Sequence, residues 1–132
     1  MTIEGALLAR LTGYAGLTAL VSTRVYGVRL PQNVTLPAVS FFRVSADREH
    51  AMGARAKPTH ARFQVSAWAV TYDAMRAVAA QVVAALDRYS GTLDSTVIQQ
   101  IFVDTDSDLH EAGIKDAGVF HRPTDFLVHY EE

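Results

Sequence analysis

The spacing of apolar residues changes within VSAWAVTYDAM, residues 65 to 75, and the change falls at Thr71. Before it, Phe63, Val65, Ala67 and Ala69 alternate with Arg62, Gln64, Ser66 and Trp68 through HARFQVSAWAV. A period of two marks a strand with one buried face. After it, Met75, Val78, Ala79, Val82, Val83 and Leu86 follow the spacing of a helix lying on a sheet by one stripe. Thr71 is placed to cap that helix, Asp73 sits favourably near its start, and Gly91 is expected to stop it. Its other side carries Ala77, Ala80 and Ala84, which suit either close approach by a neighbour or simple helix propensity, the commoner reason for alanine.

The same reading extends along the chain. Ile3, Leu7, Leu8 and Leu11 form one helical stripe, with Thr2 as cap, Glu4 in the first turn, Arg10 near the end and Gly13 just beyond it. Leu17, Leu20 and Val21 suggest another turn or two, and Gly27, Pro31, Asn33 and Pro37 mark an irregular connection. AVSFFRVSA, residues 38 to 46, reads as a strand with large residues on both faces, so a second surface is expected against the side that helices leave open. Residues 47 to 59 break every period and form a long loop or an extended hairpin tip. Residues 95 to 106 and 118 to 132 give two more strands. The last shows Phe120, Phe126, Val128 and Tyr130 on one face, and its Pro123 predicts an edge position or a bulge.

The order α-β-β-α-β-β predicts an α+β fold, a mainly antiparallel sheet of about four strands packed by two main helices. With 132 residues the chain suits a single domain, residues 1 to 132. Lys plus Arg total 12 against 14 acids, which gives no basic excess of the kind that grips a phosphate backbone. The absence of cysteine excludes disulfides, thiolate nucleophiles and thiolate zinc sites, and is compatible with a reducing compartment. Glu4 stands where a secretory signal carries positive charge, and no apolar run is long enough to span a bilayer, so a soluble protein without membrane contact is expected.

Catalytic chemistry is poorly supported. The joint at Thr71 lacks both phosphate-cradling glycines and a nucleophile elbow. Asp104, Asp106 and Asp108 offer oxygen ligands to a hard cation, but Leu109 occupies the position where a calcium loop needs glycine and Lys115 the one where it needs glutamate. A solvated turn is the simpler reading, and a small metal-dependent cytosolic enzyme the weaker alternative. None of His50, His60, His110, His121 and His129 is paired at helical zinc spacing. His121 and His129, about eight residues apart along a strand, are too distant to share one ion. No cofactor and no catalytic residue are expected.

Charge is distributed unevenly. The 47 to 60 segment sets Arg48, Arg55 and Lys57 against Asp47 and Glu49, whereas Asp104 to Glu111 contributes acids alone. Unlike patches of this kind suit a head-to-tail self-association, which closes into a ring when its rotation permits. They also suit two solvated loops. Trp68, on the more polar strand face, is either an interface anchor or a residue buried by the first helix.

LPAVSFFRVSADREH, RFQVSAWAVTYDAMRAVAAQVVAALD, FVDTDSDLHE and AGVFHRPTDFLVHYEE, in this order and spacing, resemble the tail-completion, or tail-terminator, proteins of long-tailed bacteriophages, prophages and gene transfer agents. The resemblance covers nearly the whole chain and is weakest in residues 12 to 34 and at the tip of the 47 to 59 loop. It implies a structural, non-enzymatic virion assembly protein, assembled in the bacterial cytoplasm, that forms a six-fold ring at the head-proximal end of the tail tube. Its implied partners are further copies of itself, the tail-tube protein and a head-completion or stopper protein, with DNA passing only transiently through the lumen. The expected interface residues are Arg48, Arg55, Lys57, Trp68, Asp104, Asp106 and Asp108. Another head-tail connector or adaptor component is the alternative within the same class.

Overall fold

The computed structural model describes residues 3–27, 35–48, 59–93, 96–111 and 119–131, with the backbone alone at 47, 48, 59, 110 and 111. Two helices, α1 (Ile3–Gly13) and α2 (Ala15–Val21), lead into a three-residue strand β1 (Val25–Gly27). The long strands β2 (Ala38–Arg48) and β3 (Thr59–Ala69) follow, then α3 (Tyr72–Leu86). A short β4 (Gly91–Leu93), a long β5 (Thr96–Asp106), a short β6 (Leu109–Glu111) and a long β7 (Val119–Glu131) complete the chain.

The sheet runs β1-β2-β3-β7-β5-β4, with β6 also paired to β7, and every pairing is antiparallel except β1 with β2. The expected α+β class and the four long antiparallel strands are present. Among the described residues the count is corrected to seven strands, one pair of them parallel, and three helices. The added strands are three residues each, too short to display a period, and α2 is a separate helix because the chain turns extended at Tyr14 (φ −89°). The 47 to 59 expectation resolves toward the hairpin: the β2–β3 ladder continues to Arg48 opposite Thr59, and residues 49–58 lie outside the described ones.

Pro123 is neither at an edge nor in a bulge. It lies in β7, between β3 and β5, directly opposite Ser66. The N–H and C=O of a strand residue face the same neighbour, and the Pro123 carbonyl accepts from the Ser107 N–H at 3.2 Å. The missing N–H therefore faces the gap between β5 and β6, where no ladder bond is lost. The bulges fall instead between Arg43 and Ser45 in β2, and between Ile98 and Gln100 and between Val103 and Thr105 in β5.

All three helices belong to the same buried cluster as one sheet face. Met75, Val78, Ala79, Val82, Ala85 and Leu86 of α3 bury against Phe63, Val65 and Ala67 of β3 and Phe126, Val128 and Tyr130 of β7. Ala77, Ala80 and Ala84 are exposed. In α1 the buried face is Ile3, Ala6, Leu7 and Leu11, so Leu8 is corrected to the solvent side. Leu20 is also exposed while Leu17 and Val21 are buried.

The joint at Thr71 forms as the period change predicts: its side-chain hydroxyl accepts from the Ala74 N–H at 3.2 Å. The other end of α3 differs from expectation. The helix stops at Asp87, followed by Arg88 with φ 63°, and Gly91 opens β4 instead. This corner is tied to β5, because Arg88 N–H donates to the Ile101 carbonyl (2.6 Å) and Val103 N–H donates to the Asp87 carboxylate (3.0 Å). The ties satisfy backbone groups along the outer side of β5 and so protect that edge. Arg10 braces the same end of α3, donating from Nε to the Ala85 carbonyl (2.8 Å) with its guanidinium 4.2 Å from the Tyr89 ring centre and 5.3 Å from that of Tyr14.

Candidate assembly surface

With the helices on one face, the residues alternating with the core line the other. Cross-strand partners share a face, so the registers arrange that open face in rows. One row is Ala38, Trp68, His121 and Leu109; the next holds Ser40, Ser66 and Pro123. Phe42, Gln64, Asp125 and Thr105 follow, then Ser45, Arg62, Leu127 and Phe102, then Asp47, His60, His129 and Gln100.

Trp68 belongs to this open face, which excludes burial under the first helix. Its indole is stacked on His121 (centroids 4.0 Å apart, planes 18° apart), and its Nε1–H donates to Ser40 Oγ at 2.9 Å. The ring is half-buried by these neighbours. Leu109, next in the row beyond His121, is 48% exposed. Of the more exposed apolar residues on the open face, Leu109 lies at one end, and Phe42 (38% exposed) and Phe102 (41%) toward opposite edges.

The middle of the face is polar and internally matched. Arg62 pairs with Asp104 at 2.7 Å and with Asp125 at 3.0 Å, and Gln64 donates to the second Asp125 oxygen at 3.4 Å. The bond to Asp104 first, then that to Asp125, holds the Arg62 guanidinium still more firmly protonated than usual. Sequence reading passed over Arg62 and Asp125 because β3 and β7 are far apart in the chain. Only their register brings them together.

The three aspartates of the acidic turn do not converge. Asp104 joins Arg62. Asp108 is held by a two-pronged contact from Arg122, with Nη2 to Oδ2 at 3.1 Å, and accepts the Tyr72 hydroxyl at 2.8 Å. Arg122 first, and Tyr72 second, keep the Asp108 carboxyl below its ordinary range. Asp106 is exposed and makes no ion pair among the described residues. Among the described residues, no group of three or more His, Asp or Glu is arranged to hold a metal ion. Of the remaining expected residues, Arg48 occupies the last register position of β2, and Arg55 and Lys57 lie outside the described residues.

The register also produces a pair that spacing along the chain does not reveal. His60 and His129 are cross-strand partners with ring centres 4.1 Å apart, beside an open cleft of about 270 Å³ lined by Ser45, Arg62 and Leu127 among others. The Phe102 ring meets His129 edge-on at 6.3 Å.

Phe42 and Phe102, left exposed on this face, are of the aromatic type enriched where proteins meet. No helix among the described residues is long and apolar enough to cross a membrane. Among curated proteins, none matches the chain. Among solved structures, it is similar to a chain from the "Virion of native gene transfer agent (GTA) particle", with a TM-score of 0.73 and 21% identity over 98% of this chain and 95% of that one. At that identity the likeness speaks to the fold. A family model described as tail completion protein gp17 matches residues 5–130. The chain therefore belongs to the tail completion protein gp17 family, and is a structural component of a phage tail rather than an enzyme.

Proposed function

We propose that this protein closes the head-proximal end of the tail tube as a ring, six-fold as the family resemblance implies, that stops tube polymerisation and presents a surface to the head-completion protein. The observation that carries the reading is the open sheet face, which keeps Phe42 and Phe102 exposed toward opposite edges while its centre is neutralised by Arg62, Asp104 and Asp125. A head-to-tail contact uses two unlike patches on each copy, and opposite edges of one sheet supply them. In this reading the chain between β2 and β3, whose sequence carries Arg55 and Lys57, contacts the tube or the neighbouring copy. Trp68 supports this surface from within, its indole fixed by Ser40 and His121.

The acidic turn contributes less free charge than its sequence suggests. Asp104 and Asp108 are each matched by an arginine, and Asp106 is left to face solvent or the lumen. Facing the lumen, it repels passing DNA and favours transit over binding. The function is binding without bond-making or bond-breaking.

The test is reconstitution. Purified protein is added to polymerising tail-tube subunits, and tube lengths are measured by electron microscopy. The proposal expects tubes to stop growing and to carry a terminal ring, with Arg55→Glu plus Lys57→Glu weakening capping while the monomer's thermal unfolding is unchanged. Tubes that grow on past saturating protein contradict the terminator role. Undiminished capping by the charge-reversed protein removes the hairpin segment from the interface.

A further inference from the structure

His60 and His129 come from different parts of the chain and meet only through the β3–β7 ladder. Both strands are interior, each paired on two sides, so the two backbones are held in place before any ligand arrives. The imidazoles sit with centroids 4.1 Å apart and planes at 40°. A metal–nitrogen bond of about 2.0–2.1 Å places an ion about 3.2 Å from each ring centre. Two rings 4.1 Å apart then subtend about 80° at the ion, within reach of cis ligation after a modest turn of the rings.

The surroundings agree with a cation. The row runs on to Gln100 on the far side of His129, so an amide occupies that flanking register position. Arg62 lines the same cleft, but it is matched by Asp104 and Asp125, which leaves that trio with a formal excess of negative charge. The cleft of about 270 Å³ holds an ion with several water ligands.

We propose that His60 and His129 form a two-histidine chelate for a borderline divalent cation of the zinc, nickel or copper type, with water completing the shell. Imidazole nitrogen selects these ions over magnesium or calcium, which prefer oxygen. Because His60 is one residue from the start of β3 and pairs across to Asp47 near the end of β2, the ion clamps the base of the long hairpin onto β7. The site is separate from the Asp104, Asp106 and Asp108 turn.

The experiment is calorimetric titration of the full-length chain with Zn²⁺, Ni²⁺ and Mg²⁺ at about pH 7.5, repeated on His60→Gln, His129→Gln and the control His110→Gln. Thermal unfolding without metal checks that each variant folds. The proposal expects saturable binding of one zinc or nickel ion per chain and none of magnesium. Either His60→Gln or His129→Gln should weaken it by about tenfold or more, and His110→Gln should leave it intact. Lowering the pH to about 5.5 should also weaken it, since ligation requires neutral imidazole. Absence of saturable zinc or nickel binding overturns the proposal. So does binding of unchanged strength in folded His60→Gln and His129→Gln proteins.

Discussion

Trp68 offers the sharpest test of how the open face is built. Trp68→Phe keeps an aromatic ring on His121 but removes the indole N–H that Ser40 accepts at 2.9 Å. Ser40 is 5% exposed, so water replaces that donor poorly. A buried partner left unsatisfied costs about 1–3 kcal/mol. We place Trp68→Phe near 2 kcal/mol, and Ser40→Ala near 1 kcal/mol, because the half-buried indole can recover a water. The double variant leaves neither group stranded, so its cost should fall short of the sum by about 1 kcal/mol. Urea unfolding followed by circular dichroism measures all four proteins on one scale. Fluorescence does not serve, because Trp68 is the chain's one tryptophan. Additive costs would refute the bond as an energetic link, and a Trp68→Phe protein as stable as the parent would refute the claim that Ser40 depends on it.

Three further outcomes follow from the same geometry. Thr71→Ala removes the hydroxyl that caps α3 and should cost about 1 kcal/mol in urea unfolding, whereas an unchanged midpoint would mean that packing alone sets the helix start. Asp108 is held below its ordinary value of 3.8 by Arg122 and then Tyr72, so its stabilising contribution is present above that value and is lost as pH falls through the lower folded one. Asp108→Asn should therefore flatten the acid limb of the stability curve, and an unaltered limb contradicts the assignment. Arg62→Met unpairs Asp104 and Asp125 on a surface about one third exposed, and should destabilise modestly at low salt, with the difference shrinking near 1 M salt as screening rises. A cost independent of salt would point to lost packing instead.

What the sequence disclosed and what it withheld divide along a physical line. Properties written in local spacing were legible: the alternation through Phe63 to Ala69, the stripe from Met75 to Leu86, and the Thr71 cap between them. Properties that depend on register were not. Arg62 meets Asp125 diagonally across the β3–β7 ladder, and His60 with His129 and Trp68 with His121 are register partners; no distance along the chain signals any of them. The short strands β1, β4 and β6 have three residues each, which is less than two periods of alternation. Pro123 misled for a related reason. A proline excludes a ladder bond on one side only, and the gap between β5 and β6 accommodates that side. The acidic turn was legible as a run of charge, but its pairing with Arg62 and Arg122 was not. Without those partners it looked like a free acidic patch or a cation loop.

The central claim is the terminator role, and deletion of this gene tests it most directly, with the resulting particles viewed by electron microscopy and the gene restored in trans as control. The account predicts filled heads beside unattached tails of irregular or excessive length, corrected when the gene is restored. Normally joined particles with tails of uniform length would contradict it.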